Sequence, residues 1–193
     1  MKYMIYLFRH GQTYYNKSGR FTGDINSHLT PQGVKDAKKI AQKLKGNIVD
    51  YAFQTRLSRS KDTLKYVLRF HPECKKIIND DRMIERDYGL LKGKYHARII
   101  VQYGQKQFDT WHRSYETRPP GGESIKDVEK RVEAFIKDLL IFMKKHKGNV
   151  AISAHGNSMR PFRKHFEHLS REKMMQLENP WDDYFAYSVE NEN

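Results

Sequence analysis

The stretch Tyr3-Met4-Ile5-Tyr6-Leu7-Phe8-Arg9-His10-Gly11-Gln12-Thr13 decides how this chain is read. Large apolar residues run without a break into a polar turn containing glycine, the pattern of a strand buried on both faces. His10 then falls where strand gives way to loop, and in an open α/β sheet that rim is where ligands bind. A second copy lies far downstream, where Asn149-Val150-Ala151-Ile152-Ser153-Ala154 delivers His155-Gly156-Asn157 and then Arg160. Two strand-end histidines, each followed by glycine, point to one shared pocket. A neutral imidazole is a nucleophile near pH 7, and a phosphoryl group is an electrophile once cations neutralise its oxygens. Arg9 offers a planar fork of donors that fits phosphate, and the second histidine suits donation to an equatorial oxygen. Either His-Gly pair alone reads equally well as a plain turn after a strand.

Around these two strands, helical and strand patterns alternate. The loop 12–29, with Gly19, Gly23 and Asn26, reads as irregular, and a loop of that length in a compact chain is usually functional. Its donors Thr13, Asn16, Arg20, Thr22 and the backbone at Gly23 suit a phosphate and a carboxylate. Thr30-Pro31 opens a helix that ends at Gly46, with Val34, Ala37, Ile40, Ala41 and Leu44 on one stripe. Residues 49–53 read as the next strand, followed by a helix reaching about residue 70, whose N-terminus is a ready anion site. Residues 95–111 read as helix, turn, helix. The longest helix starts at Glu123-Ser124, residues 150–154 form a strand, helices follow from about 158 and 171, and residues 184–189 form the last strand. This alternation implies an α/β fold, a three-layer α/β/α sandwich with a mostly parallel central sheet, organised as one domain over 1–193 with a cap-like insertion at about 90–120.

Composition narrows the function classes. Lysine and arginine total 36 against 23 acids, a net charge of +13 that attracts anions generally. The cations are spread over nearly every element rather than clustered with aromatics, which argues for anion steering and against specific nucleic-acid recognition. One cysteine, Cys74, excludes an internal disulfide and fits a reducing cytoplasm. No apolar run approaches the roughly 20 residues of a membrane span. Met1-Lys2-Tyr3 enters the first strand too early for a signal peptide, so a cytoplasmic protein without a membrane partner is expected.

Arg9-His10-Gly11, Glu85-Arg86-Asp87-Tyr88-Gly89 and Ala154-His155-Gly156-Asn157-Ser158 resemble the histidine phosphatase superfamily. More narrowly, Asn16-Lys17, Arg20-Phe21-Thr22-Gly23, the Glu85 segment, Trp111-His112-Arg113-Ser114-Tyr115 and residues 153–160 are similar to the 2,3-bisphosphoglycerate-dependent phosphoglycerate mutases, in order, from about residue 3 to residue 189. The resemblance implies the phosphoglycerate mutase-like fold and interconversion of 3- and 2-phosphoglycerate. In that reaction His10 carries a phosphoryl group donated by the cofactor 2,3-bisphosphoglycerate. Arg9, Arg59 and His155 would stabilise the group in transfer, and Glu85 would exchange a proton with the substrate hydroxyl. A salt bridge from Glu85 to Arg86 or Arg82 is the purely structural alternative. Asn16, Thr22, Gly23, Tyr88, His96, His112, Arg113, Gly156 and Asn157 would bind the small anionic substrate. No metal is implied, since fixed cations replace it, and the resemblance leaves room for a homo-oligomer. Arg56 and Lys61 read as surface charges.

The chain departs from the mutase pattern at several points. Gln12 stands where the mutases usually have Glu, His112-Arg113 where they have two arginines, and His96 where they have lysine. Glu178 and Trp181-Asp182 replace an Asn and a Thr-Gly, and the sequence ends without the longer tail of many mutases. These departures support the alternative expectation, a phosphohistidine-dependent phosphatase of small phosphomonoesters. If His96 and His112 face the pocket, substrate affinity should rise as pH falls toward the imidazole range.

Overall fold

The computed structural model describes residues 2–190; residue 1 and residues 191–193, at the ends of the expected domain, lie outside the described residues. In chain order the strands are β1 (Lys2–Arg9), β2 (Tyr51–Gln54), β3 (Lys76–Asn79), β4 (Val150–Ala154) and β5 (Tyr184–Glu190). The helices are α1 (Tyr14–Lys17), α2 (Pro31–Leu44), α3 (Ser58–Val67), α4 (His96–Tyr103), α5 (Gln105–Arg113), α6 (Ile125–His146), α7 (Gly156–Glu167) and α8 (Arg171–Gln176). The five strands form one sheet in the order β3-β2-β4-β1-β5. All neighbours are parallel except β5, which runs antiparallel to β1 on the edge.

Side chains alternate across the strands, and the two faces build separate cores. Tyr6, Phe8, Ala52 and Ala151 pack on Ile40, Ala41 and Leu44 of α2 and Leu64 and Val67 of α3. Ile5, Leu7, Phe53, Val150 and Ile152 face the opposite way, onto Val132, Phe135, Ile136 and Leu139 of α6 and Met159 and Phe162 of α7. Burying each large apolar side chain contributes about 1.5–3 kcal/mol, so the central strands are held firmly from both sides. A third, smaller cluster of Phe21, Tyr88, Leu91, Ile99 and Phe108 joins α4 and α5 to the loops beyond the carboxyl ends of the strands.

The rim is fixed by register. Phe8 lies opposite Ser153 and Arg9 opposite Ala154, and the His10 amide donates to the Ala154 carbonyl at 3.1 Å. The residues that follow β1 and β4 therefore emerge side by side. Glycine is required where the loop after β1 meets the start of α2. A Cβ on Gly33 would sit 2.0 Å from the Gln12 carbonyl oxygen, and one on Gly11 would sit 2.1 Å from the Gly33 oxygen. The Thr30 hydroxyl caps α2 by accepting from the Gly33 amide at 3.0 Å, and the Thr30 amide donates to the Gln12 carbonyl at 2.9 Å.

Three boundaries differ from those the sequence indicates. The loop 12–29 contains the helical turn α1, closed by a capping box in which Thr13 and Asn16 satisfy each other's backbone amides. β2 begins at Tyr51, because the Val49 amide is taken by the Glu73 carboxylate at 3.0 Å and the Asp50 and Tyr51 amides both donate to the Asn149 carbonyl. α7 begins at Gly156, directly after the rim histidine.

Candidate active site

His10 and His155 meet at the rim, with ring centroids 5.0 Å apart and planes inclined by 54°. His10 is 2% exposed and His155 fully buried. The Gly11 carbonyl lies 2.7 Å from His10 Nδ1 and can only accept, so that nitrogen carries the proton and Nε2 keeps its lone pair. Arg59 Nε donates to His10 Nε2 at 3.2 Å. Behind the pair, His155 Nε2 is 2.8 Å from the Thr55 hydroxyl, and His155 Nδ1 is buried without a partner among the described residues. Burial, reinforced by Arg59 and Arg9, holds His10 well below the ordinary imidazole value. Burial first, then Arg59 and His10, does the same to His155. Both rings are neutral at pH 7.

The cations around them are held by carbonyls rather than carboxylates. Arg59, 1% exposed, donates to the Ile25 carbonyl at 2.8 Å and the Gly23 carbonyl at 2.7 Å. Burial lowers it to about 10. Arg9 donates to the Asn179 carbonyl at 3.2 Å, and burial lowers its guanidinium as well. No carboxylate among the described residues forms a salt bridge with Arg9 or Arg59. Buried charge of this kind is costly until an anion neutralises it.

Glu85 forms no salt bridge to Arg86 or Arg82. Its Oε1 accepts from the Arg86 amide at 2.8 Å and from the Asn157 amide at 3.1 Å, at the start of α7. Arg86, fully buried, spends its guanidinium on the carbonyls of Glu123, His112 and Thr117, pinning the Glu85 segment to the end of α5. Arg82 pairs instead with Asp80 and Asp138. Arg56 is a surface charge between Asp24 and Asp81.

A cavity of about 270 Å³ opens above the rim. Every residue the resemblance implied lines it except His155, which is fully buried beside His10: Arg9, His10, Arg59 and Glu85, with Asn16, Thr22, Gly23, Tyr88, His96, His112, Arg113, Gly156 and Asn157. The far wall is aromatic. Phe21 contacts the rings of Tyr88, His96, Phe108 and His112, and the two histidine rings lie 5.3 Å apart. This packing sets the proton affinity of the two imidazoles. Burial, with His96, Arg113, Arg86 and Arg160 nearby, pushes His112 down to about 4, and burial lowers His96. In the free protein the pair is uncharged at neutral pH and His112 titrates far below the ordinary imidazole range.

Arg20, Arg160, Leu177, Glu178, Asn179 and Trp181 also line the cavity. Arg20 packs on Tyr15 and Tyr95 and hydrogen-bonds the Tyr95 hydroxyl. Arg160 sits one turn into α7, which starts directly after His155, and that spacing marks it in sequence. Nothing local marks Thr55 or Asn179.

Arginines lining a pocket at the carboxyl end of a parallel sheet, where two strands deliver paired histidines, make an α/β enzyme site suited to holding a small anion. Residues 5–189 match the family model of the histidine phosphatase superfamily (branch 1), and the chain belongs to that family. It is 38% identical over 181 residues to a 2,3-bisphosphoglycerate-dependent phosphoglycerate mutase of Parvibaculum lavamentivorans, covering 92% of this chain and 86% of the relative. A Mesorhizobium japonicum protein of the same name is also 38% identical, over 92% of this chain and 88% of its own. Among solved structures, a mycobacterial glucosyl-3-phosphoglycerate phosphatase superposes with a TM-score of 0.83 at 22% identity, over 97% of this chain and 91% of that one. The alpha-ribazole phosphatase of Shigella flexneri gives 0.82 at 22%, over 95% and 89%. At such identity these two establish the fold. No helix among the described residues is long and apolar enough to cross a membrane.

Proposed function

We propose that this chain is a 2,3-bisphosphoglycerate-dependent phosphoglycerate mutase working through a phosphohistidine at His10. The observation that carries the reading is a single cavity with several cations on its wall: Arg59, bonded to His10, together with Arg9, Arg20 and Arg113. A substrate with both a phosphate and a carboxylate has more than one anionic group for such a wall to hold. The 38% identical relatives named as mutases support the same substrate class.

His10 Nε2 attacks phosphorus in line, while the Gly11 carbonyl keeps the Nδ1 proton and orients the ring. Arg59 Nε releases the imidazole and turns to a phosphoryl oxygen. With the Thr55 hydroxyl donating to His155 Nε2, His155 Nδ1 carries a proton and donates it in a hydrogen bond to an equatorial oxygen. Glu85, set by two backbone amides, returns a proton to the leaving hydroxyl or takes one from the acceptor. The unpaired Arg9 Nε, and Arg59, which forms no salt bridge among the described residues, fit the polyanionic bisphosphoglycerate, which on binding supplies the phosphoryl group that primes His10. Helices α4 and α5, anchored on Phe21, act as a cap that excludes water from the phosphorylated ring.

A second reading, hydrolysis of small phosphomonoesters, is favoured by one observation: neutral imidazoles of His96 and His112 hold the far wall, which weakens the grip on a second anionic group. One experiment separates the two. His10 is loaded from labelled 2,3-bisphosphoglycerate and its discharge followed with and without 3-phosphoglycerate. Faster discharge to 3-phosphoglycerate, with label in 2-phosphoglycerate or the bisphosphate, is expected. Discharge to inorganic phosphate at an unchanged rate refutes the mutase reading, and His10→Ala should abolish labelling.

A further inference from the structure

Trp181 belongs to no part of the phosphoryl-transfer scheme above, and it stands where the mutase pattern has a small polar residue. Its ring lies 4.9 Å from the Arg9 guanidinium. The guanidinium also runs close against Gly156, where a Cβ would come within 3.3 Å of its carbon. The turn that carries Trp181 is built rather than loose. Arg163, ion-paired with Glu167, donates to the Glu178 carbonyl at 2.9 Å and to Asn179 Oδ1 at 3.1 Å. Asn179 Nδ2 donates to the Gly156 carbonyl at 2.9 Å, and the Asn179 carbonyl accepts from Arg9. Trp181 is thus tied to the helix that begins beside His155.

Two donors on this wall are unspent. Arg9 Nε and Trp181 Nε1 are both buried and have no hydrogen-bond partner among the described residues. Each unsatisfied buried donor costs stability until it is paired. Both residues line the cavity that holds His10.

We propose that Trp181 is a ligand-positioning residue of this pocket: its ring fixes the Arg9 guanidinium, and its indole N–H joins Arg9 Nε in donating to oxygens of a tetrahedral oxyanion bound at His10. The inference rests on the reading that His10 meets a phosphoryl group, but not on whether mutase or phosphatase chemistry follows. It assigns a recognition role to the turn after α8, where the family resemblance fails. The ring stiffens a long side chain whose planar fork must meet phosphate in one orientation, and the cation–π contact keeps it in place before ligand arrives.

Orthovanadate is the probe, titrated calorimetrically into the whole chain and into Trp181→Phe and Trp181→Leu. Phenylalanine keeps a ring against Arg9 but removes the donor, and should weaken binding about tenfold, the value of one charge-assisted hydrogen bond. Leucine removes both and should weaken it further. In an Arg9→Lys background the additional loss from Phe to Leu should vanish, because the ring then has no guanidinium to orient, whereas a purely structural role would leave that loss intact. The sequence has two tryptophans, so in a Trp111→Phe protein the indole emission is that of Trp181 alone and should change on saturation with vanadate. Vanadate affinity of Trp181→Phe within twofold of the parent, or an unchanged Trp181 emission at saturation, overturns the proposal while the phosphoryl-transfer reading stands. Failure of the parent to bind vanadate overturns both. The emission measurement uses native Trp181 and decides the matter even if the Trp181 variants do not fold.

Discussion

Acid should unfold this protein in part through a residue on the cavity wall. His112 is held neutral by burial in the aromatic cluster, by the neighbouring His96 ring, which disfavours a second proton, and by the charges of Arg113, Arg86 and Arg160, and falls from an ordinary 6.5 to about 4. Below pH 6.5 the unfolded chain takes up a proton at this site that the folded chain refuses. Stability is therefore complete above 6.5 and declines as pH falls toward 4. A drop of that size, at about 1.4 kcal/mol per pH unit, has a ceiling of about 3 kcal/mol, of which about 2 kcal/mol is reached by pH 5. His112→Phe keeps an aromatic ring in the cluster and removes the titration. Urea unfolding of parent and variant at pH 7 and pH 5 checks it: the parent should lose about 2 kcal/mol more than the variant between the two pH values. Comparing slopes cancels any change in packing. Equal slopes would refute the claim that His112 is held neutral in the fold.

Other outcomes follow from the same geometry. Gly33→Ala should destabilise by about 1–3 kcal/mol in thermal or urea unfolding, because the new Cβ meets a backbone oxygen that cannot step aside. It should also impair His10 labelling, since that oxygen belongs to the loop carrying the ring. Thr55→Val removes the hydroxyl from His155 Nε2 and should slow phosphoryl transfer to His10 about tenfold, with Thr55→Ser near the parent rate in a single-turnover assay. Inorganic phosphate at about a hundred times its Kd should stabilise the protein by about 2.7 kcal/mol, read as a rise in Tm, and the rise should disappear in Arg59→Ala.

The sheet and the floor of the pocket were legible because their signals are local. An apolar run ending in His-Gly marks a buried strand reaching the rim, and it occurs twice, at β1 and β4. The caps of α2 and α6 were visible as Thr30-Pro31 and Ser124. The resemblance added Arg59, Glu85 and the cavity wall, which periodicity alone does not give. What stayed hidden depends on segments far apart in sequence. Arg86 enters the sequence reading only as a motif residue and a possible salt-bridge partner of Glu85, yet it is fully buried, with three carbonyls from 112–123 closed around it.

The same non-locality explains why a motif alone does not give the protonation of His96 and His112. A motif fixes where an imidazole stands, but its proton affinity is set by what packs against it. His96 and His112 were read as titratable replacements for fixed charges, and the fold seats them against Phe21 and Phe108, where a proton is unwelcome. His155 takes its hydroxyl partner from a residue 100 positions away, and Arg9 takes its carbonyl from one 170 positions away. Residues with no motif of their own therefore tune the reactivity of those that have one. The turn 178–181 both departs from the mutase pattern and touches the first arginine of the site, through the Asn179 carbonyl and the Trp181 ring. Exchanging that turn for the mutase pattern should alter oxyanion affinity while leaving the sheet, and hence the position of His10, unchanged.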